Sequence, residues 1–246
     1  MKTPLLEMLP RQMESWSVAN VLAECDDQFR ALVNNPPWVN PTVCATAVLS
    51  LSQNMHMLNV NSGWWHDPHT GNRKDRNFGE LLVLTHSELS EAWLALDSVA
   101  PDDHLPQYPG FLVELGDTLI REFDWLGAGE IPAHESMVSF HAIGAQVRAD
   151  IDGDGFGAGG LFYRFLQAHA RVSAVMEASR KTATLACRPV ADPAAKLILQ
   201  VIGMAAEYDH AGLDMLAAAF RDKLTYNQTR QDHKPEVRRQ AGGKQF

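Results

Sequence analysis

The sequence predicts an all-α protein, and three observations carry that prediction. Long stretches rich in Ala, Leu, Met and Glu repeat their apolar residues at helical spacing. Few segments alternate with the period of two that a half-buried strand requires. Clusters of Pro, Gly, Asn and Asp then divide the chain at intervals suited to helices.

Each element follows from these signals in turn. Periodicity predicts helices over 17–33 and 41–57, separated by Asn35-Pro36-Pro37. Asp67-Pro68 breaks the chain before a third helix over 79–98, and the stretch Pro101 to Pro109 before a fourth over 110–126. The Gly127 to Pro132 punctuation precedes a helix over 134–148, and Asp152 to Gly160 one over 160–181. Pro189 to Pro193 opens a last long helix over 193–230.

A weak internal repeat runs through these helices at an offset of 83 to 85 residues. His86-Ser-Glu-Leu-Ser90 recurs as His169-Ala-Arg-Val-Ser173, and Glu122-Phe-Asp-Trp-Leu-Gly127 as Glu207-Tyr-Asp-His-Ala-Gly212. Met55-His56 maps to Phe140-His141 and Asp67 to Asp150, in the same order. Where the first copy has Glu88 and Glu91, the second has Arg171 and Ala174. The reading is two tandem copies, with the second degenerate. Four units result: an N-terminal helical extension over 1–40, an acidic half over 41–130, a degenerate half over 131–232 and a basic tail over 233–246.

Composition narrows the function classes. The 246 residues are 46% hydrophobic and 21% charged, ordinary for a soluble globular protein. No apolar run reaches the roughly 18 residues needed to cross a bilayer, and residues 1–14 lack a signal core, so no membrane association and a cytoplasmic location are expected. Cys25, Cys44 and Cys187 are odd in number and far apart, which excludes a disulfide framework and predicts buried, inert thiols. A net charge of −9 argues against a stable complex with nucleic acid, although 221–246 is rich in Lys and Arg. That basic stretch reads either as a solvated tail or as a patch for a small anion.

The chemistry concentrates in the third and fourth helices. Glu88 and Glu91 are three residues apart, so their side chains diverge by only about 60° and can address one ion. His86, Ser90 and Asp97 mark the polar side of that helix, whereas Leu81, Leu84, Ala92 and Ala95 share the arc around Glu88. A carboxylate on an apolar face costs several kcal/mol unless a cation or a basic residue compensates it. Glu114 and Asp117 repeat the spacing on the next helix, and the Pro-rich connection lets the two helices run antiparallel, so that four carboxylates converge. Taken alone, Glu114, Thr118 and Arg121 read as a solvated stripe, with Asp117 and Arg121 as an i, i+4 ion pair.

At these residues the chain resembles the MazG-like, dimeric-dUTPase-like family of all-α nucleoside triphosphate pyrophosphohydrolases. Glu88-x-x-Glu91 followed by Glu114-Leu-Gly-Asp117 matches the family's Glu-x-x-Glu and Glu-x-x-Asp signature. The surrounding Leu84-Thr-His-Ser-Glu-Leu-Ser-Glu-Ala92 and Leu115-Gly-Asp-Thr-Leu-Ile-Arg121 have the same character. Lys223, Asn227 and Arg230 match its Lys-x-x-x-Asn-x-x-Arg element, which in relatives lies near the nucleotide phosphates. The resemblance covers 80–126 and 217–232, and the stretch between them departs from the compact family pattern.

The resemblance implies hydrolysis of a (d)NTP to a (d)NMP and pyrophosphate, with metal held by Glu88, Glu91, Glu114 and Asp117. Hard oxygen donors without His or Cys favour Mg²⁺, with Mn²⁺ as a substitute. Glu91 is the candidate for orienting or deprotonating the attacking water. Lys223, Asn227 and Arg230, with Lys74 in the loop Arg73, Lys74, Arg76, are the candidates for the phosphates, and that loop also reads as a solvated charge run. Phe78, Trp64 or Trp65 could stack on the base, or serve as core. Homodimeric relatives build their sites from two subunits, so a homodimer is one expectation. The other is that the C-terminal helix folds back onto the acidic helices within one chain.

Two further motifs are set aside. Asp150-Ile-Asp-Gly-Asp-Gly155 resembles half a calcium loop, but Leu161 stands where the bidentate Glu belongs. Glu207-x-x-His210 is an element of di-iron carboxylate bundles, which need it on two helices, and the first copy reads Glu122-Phe-Asp-Trp125. The alternatives to the hydrolase are therefore a non-catalytic helical interaction protein and, less favoured, a di-iron bundle.

Overall fold

The computed structural model of the protein describes residues 17–129, 160–181 and 188–242. The expected helix over 134–148, Phe140-His141, the Asp150 to Gly155 loop and Cys187 lie outside the described residues. The described residues form seven long helices: α1 (Val18–Asn34), α2 (Pro41–Asn61), α3 (Phe78–Ser98), α4 (Gly110–Ala128), α5 (Gly160–Arg180), α6 (Arg188–Tyr208) and α7 (Gly212–Thr229). A 3₁₀ turn (Gln231–His233) and the short α8 (Pro235–Arg238) follow. Among the described residues there is no β-strand, only isolated bridges at His66–Arg73 and Pro101–Pro109. The all-α class is as expected.

Local chemistry starts the helices where the sequence places them. Ser17, Asn40 and Asn77 each accept backbone N–H bonds from the first turn that follows, and Pro41 supplies the fixed φ favoured at a helix start. Val99 ends α3 in the left-handed region at φ 53°, and the chain then turns through a braced loop. There the Asp102 carboxylate accepts from His104 N at 2.9 Å and Leu105 N at 2.7 Å, and Gly110 N donates to Ala100 O at 2.9 Å. The loop returns α4 antiparallel to α3. One expected element is corrected: the helix over 193–230 is two helices, because Asp209-His210-Ala211 forms a turn with Gly212 N donating to Asp209 O at 2.9 Å.

Helix α4 is the axis of the bundle, packing against α2, α3, α6 and α7. Its buried residues include Phe111, Leu112, Leu115, Leu119, Phe123 and Trp125, so it is wrapped on most sides. Phe220 of α7 stacks on Phe29 of α1 at 4.2 Å and meets Phe123 of α4 edge-on at 6.2 Å, which ties both ends of the chain to the same core. Among the described residues no helix is long and apolar enough to cross a membrane. Cys25 and Cys44 are buried, and burial pushes both thiols up to about 12, as inert thiols require.

The repeat has a geometric counterpart. Helices α3 and α5 cross at matching positions, with His86 Nδ1 2.7 Å from His169 Nδ1 and the rings stacked 5.0 Å apart. On either side, Trp93 meets Phe162 at 5.5 Å, while a Cβ at Gly79 would lie 3.8 Å from Met176 Cε. Gly79 and Met176 are the counterparts of Phe162 and Trp93 at the same offset of 83 residues. Trp93–Phe162 is a ring contact and Gly79–Met176 a close approach, and both fall at the spacing of the sequence echo. Ser90 Oγ and Ser173 Oγ also make the same bond, each to the carbonyl of its own histidine. The halves differ where charge is buried: Glu207 pairs with Arg164, whereas Glu122 is fully buried with neither oxygen hydrogen-bonded, and burial holds its carboxyl well above the usual range.

Gly127 is where α4 comes closest to α2. A Cβ there would press into the Ser52 carbonyl oxygen and sit 2.7 Å from His56 Cβ. Gly127→Ala should therefore destabilise the protein by about 3 kcal/mol, the upper range for overpacking a core, in urea-induced unfolding. A wild-type midpoint in that variant would show that α2 and α4 are not held at this distance.

Candidate metal centre

The acidic residues on α3 and α4 meet because the two helices are antiparallel and each presents its pair toward the other. One carboxylate oxygen from each of Glu88, Glu91 and Glu114 lies within 4.8 Å of the other two. Among the described residues these are the three His, Cys, Asp or Glu side chains grouped closely enough to hold one ion. Glu88 is buried, Glu114 half-buried and Glu91 exposed, with Glu91 Oε1 accepting from Ser87 Oγ at 3.1 Å. The fourth acid, Asp117, stands outside the trio, its Oδ2 bound to Lys223 Nζ at 2.8 Å.

That bond shows that α7 folds back onto α4 within one chain. Lys223 is only 5% exposed, which is possible for a lysine because Asp117 receives its charge. The expected Asp117–Arg121 pair is not what forms. Arg121 instead reaches across to α3 and donates from Nε to Glu88 Oε1 at 2.9 Å. Nor is the stripe Glu114, Thr118, Arg121 a solvated face: Thr118 is fully buried and its hydroxyl returns to Glu114 O at 2.9 Å. Neighbouring helices cover Thr118, while Glu114 and Arg121 stay half-buried on the wall of a cavity.

Crowding shifts the ionisation of the acids. Burial, and then the nearby Asp117 charge, push Glu88 up to about 7 even though Arg121 pulls the other way. Burial and Asp117 likewise push Glu114 up to about 8 against the pull of Lys223. Burial alone would lower Lys223, but Asp117, with Glu114 and Asp102, holds its ammonium above the usual range. Arg121 is held up in the same way by Glu88 and Asp117.

The acids form part of the wall of a cavity of about 1060 Å³. Lys223, Asn227 and Arg230 line it from α7 and its C-terminal cap, and Trp64, His104 and His233 also contribute. Asn227 Oδ1 is shielded from solvent and has no hydrogen-bond partner. Arg230 is oriented by Asp232, with which it makes two bonds of 2.9 and 2.7 Å.

Phe78, Lys74, Arg73, Arg76 and Trp65 are not brought to this cavity. Phe78 lies ten residues before Glu88, about 15 Å along the axis of α3, and packs edge-on against Trp125 at 5.5 Å. Lys74 is half-buried in the preceding loop, where its backbone N donates to Trp65 O at 2.9 Å. Of its loop neighbours, Arg73 bridges to His66 and Arg76 sits over the Trp65 ring at 5.6 Å. Trp65 is core, donating its indole N–H to Asp124 at 3.0 Å, whereas Trp64 does line the cavity.

Sequence reasoning missed Arg121 as a member of the site, together with Asp102 and His104. Arg121 lies one turn after Asp117 and so faces the same way, which was a usable signal. The two loop residues carried none. Part of the expected tail packs on the bundle: Arg238 is buried, donates to Gly63 O at 2.8 Å and lies 4.1 Å over Trp64. Glu207 is engaged by Arg164 and His210 is exposed, and among the described residues neither belongs to a group of potential metal ligands.

Comparison of the chain with family models, with curated proteins and with solved structures yields no match.

The ionisation pattern makes stability depend on pH. Glu88 and Glu114 titrate higher in the fold than at the ordinary glutamate value of 4.5, so above that value the folded chain holds more protons than the unfolded one. The stability this contributes is complete below about 4.5 and is lost as pH rises through 7 to 8. EDTA-treated protein should melt several degrees lower at pH 8.5 than at pH 6, and Glu114→Gln should flatten that difference. Equal slopes for the two proteins would remove Glu114 as its source.

Proposed function

We propose that this chain is a metal-dependent nucleotide pyrophosphohydrolase that converts a (d)NTP to a (d)NMP and pyrophosphate. One observation carries the reading: three carboxylates with oxygens within 4.8 Å of one another share a cavity wall with the buried Lys223. The four acids face two bonded cations, Arg121 and Lys223, and crowding leaves Glu88 and Glu114 holding protons well above the usual carboxylate range. A divalent ion would replace those protons as the charge that holds the cluster together.

The donors suit a hard divalent cation. They are all carboxylate oxygens on two packed helices, and their mutual repulsion is what such an ion relieves. Glu88, Glu91, Glu114 and Asp117 would hold it. When bound, Mg²⁺ or Mn²⁺ supplies a compact positive charge that neutralises phosphate oxygens.

The chain's own residues supply the rest. Lys223, with its three donors, and the fixed guanidinium of Arg230 face the same cavity and bind the phosphate chain electrostatically. Asn227 offers an amide for a further bond. Glu91, the most open acid of the trio, orients a water molecule and takes its proton. The water oxygen bonds to the α-phosphorus, and the bond from that phosphorus to the bridging oxygen breaks. Pyrophosphate leaves with the electron pair.

The test is a panel of canonical and modified NTPs and dNTPs, read as phosphate with and without added inorganic pyrophosphatase. The expected signal needs both the pyrophosphatase and Mg²⁺. Orthophosphate released directly, or turnover that survives EDTA, would overturn the reading. Glu88→Gln and Asp117→Asn should each reduce turnover by at least about a hundredfold, with the helical circular dichroism unchanged. Wild-type rates in both would mean that the site lies elsewhere.

A further inference from the structure

We propose that Lys223 and Arg121 occupy the place of the metal's charge in the metal-free protein, and that metal entry transfers Lys223 from Asp117 to the phosphates of the substrate. The inference rests on the reading of the cavity as a metal-dependent phosphate site and assigns its order of assembly.

Three observations carry it. Lys223 Nζ lies 2.8 Å from Asp117 Oδ2 and Arg121 Nε 2.9 Å from Glu88 Oε1, so two of the four acids are already engaged by cations of the chain itself. The two acids left without such a bond, Glu91 and Glu114, share one small volume with Glu88. Lys223, moreover, lies on the wall of the same cavity, with Asn227 one turn further along α7.

Competition follows from electrostatics. A divalent ion held by these oxygens and an ammonium on Asp117 are like charges a few ångströms apart beside the buried Glu88 and Lys223, where they repel more strongly than in bulk water. An Asp117 oxygen engaged by the metal is less available to Lys223. The lysine side chain has four rotatable carbons and three donors, so it can leave the carboxylate for an anion arriving in the cavity. Phosphate thus removes the competitor for the metal site while the metal releases the ligand for phosphate. The two bind with positive coupling, which is reciprocal by thermodynamic necessity.

The test titrates the full chain with Mn²⁺ alone, following the unbound ion by electron paramagnetic resonance. Lys223→Met should bind Mn²⁺ about tenfold or more tightly than wild type, while its KM for the nucleotide rises about tenfold or more. Arg121→Gln should shift Mn²⁺ affinity in the same direction and serves as the second variant if Lys223→Met does not fold. A purely structural Lys223 would give the opposite result, since its loss would loosen the site and weaken Mn²⁺ binding. Unchanged or weakened affinity in the folded variants, with Glu114→Gln abolishing Mn²⁺ binding, overturns the exchange and leaves the metal reading standing. Mn²⁺ binding that survives Glu114→Gln overturns both.

Discussion

Four carboxylates from two adjacent helices cannot share a partly dry volume at neutral pH unless something holds their charge, and much of the architecture answers that constraint. The burial that makes α3 and α4 a stable antiparallel pair also brings Glu88, Glu91 and Glu114 together. Protonation is one answer, visible in the raised Glu88 and Glu114. Internal cations are another, and they come from two directions: Arg121 across the α3–α4 seam and Lys223 from α7. Helix α7 is thus bound to the rest of the bundle by the site as well as by its own apolar face.

The constraint separates the two halves of the molecule. Helices α3 and α5 meet about His86 and His169, at the 83-residue spacing of the sequence echo. At that spacing from Glu88 and Glu91 the chain has Arg171 and Ala174, and Glu207 is matched by Arg164. The position equivalent to Arg164 in the first half is the buried apolar Leu81, and Glu122 lies without a hydrogen-bond partner.

How a charged group behaves here is set by its neighbours and not by its type. Asp102 closes the loop between α3 and α4 by accepting two backbone N–H bonds, and the same residue lines the cavity. Asp124 is buried between His56 and the Trp65 indole, where it fixes core geometry away from the acid cluster. Arg230 and Arg238 both lie near the C-terminus, yet one is oriented toward the cavity by Asp232 and the other is buried against Trp64. Charge runs in the sequence divide in this way between structure and site.

The helices themselves were legible because helical periodicity, Asn and Ser caps and Pro punctuation act within a few residues of where they occur. The pairing of Glu88 with Glu91, and of Glu114 with Asp117, was legible for the same reason: spacing on a helix fixes which side chains share a face. The break at Asp209 to Ala211 was not, because Tyr208 and Gly212 continue a helical pattern that only the turn interrupts. Tertiary packing also decided which partner each charge takes. Spacing along α4 offered Arg121 to Asp117, but the seam with α3 put Glu88 within its reach and left Asp117 to Lys223, more than a hundred residues away in the chain. Phe78 and Lys74, near the acids in sequence, were carried to the far end of α3 by its length, because a helix places neighbours in order along its axis and leaves the choice of who meets across the bundle to packing.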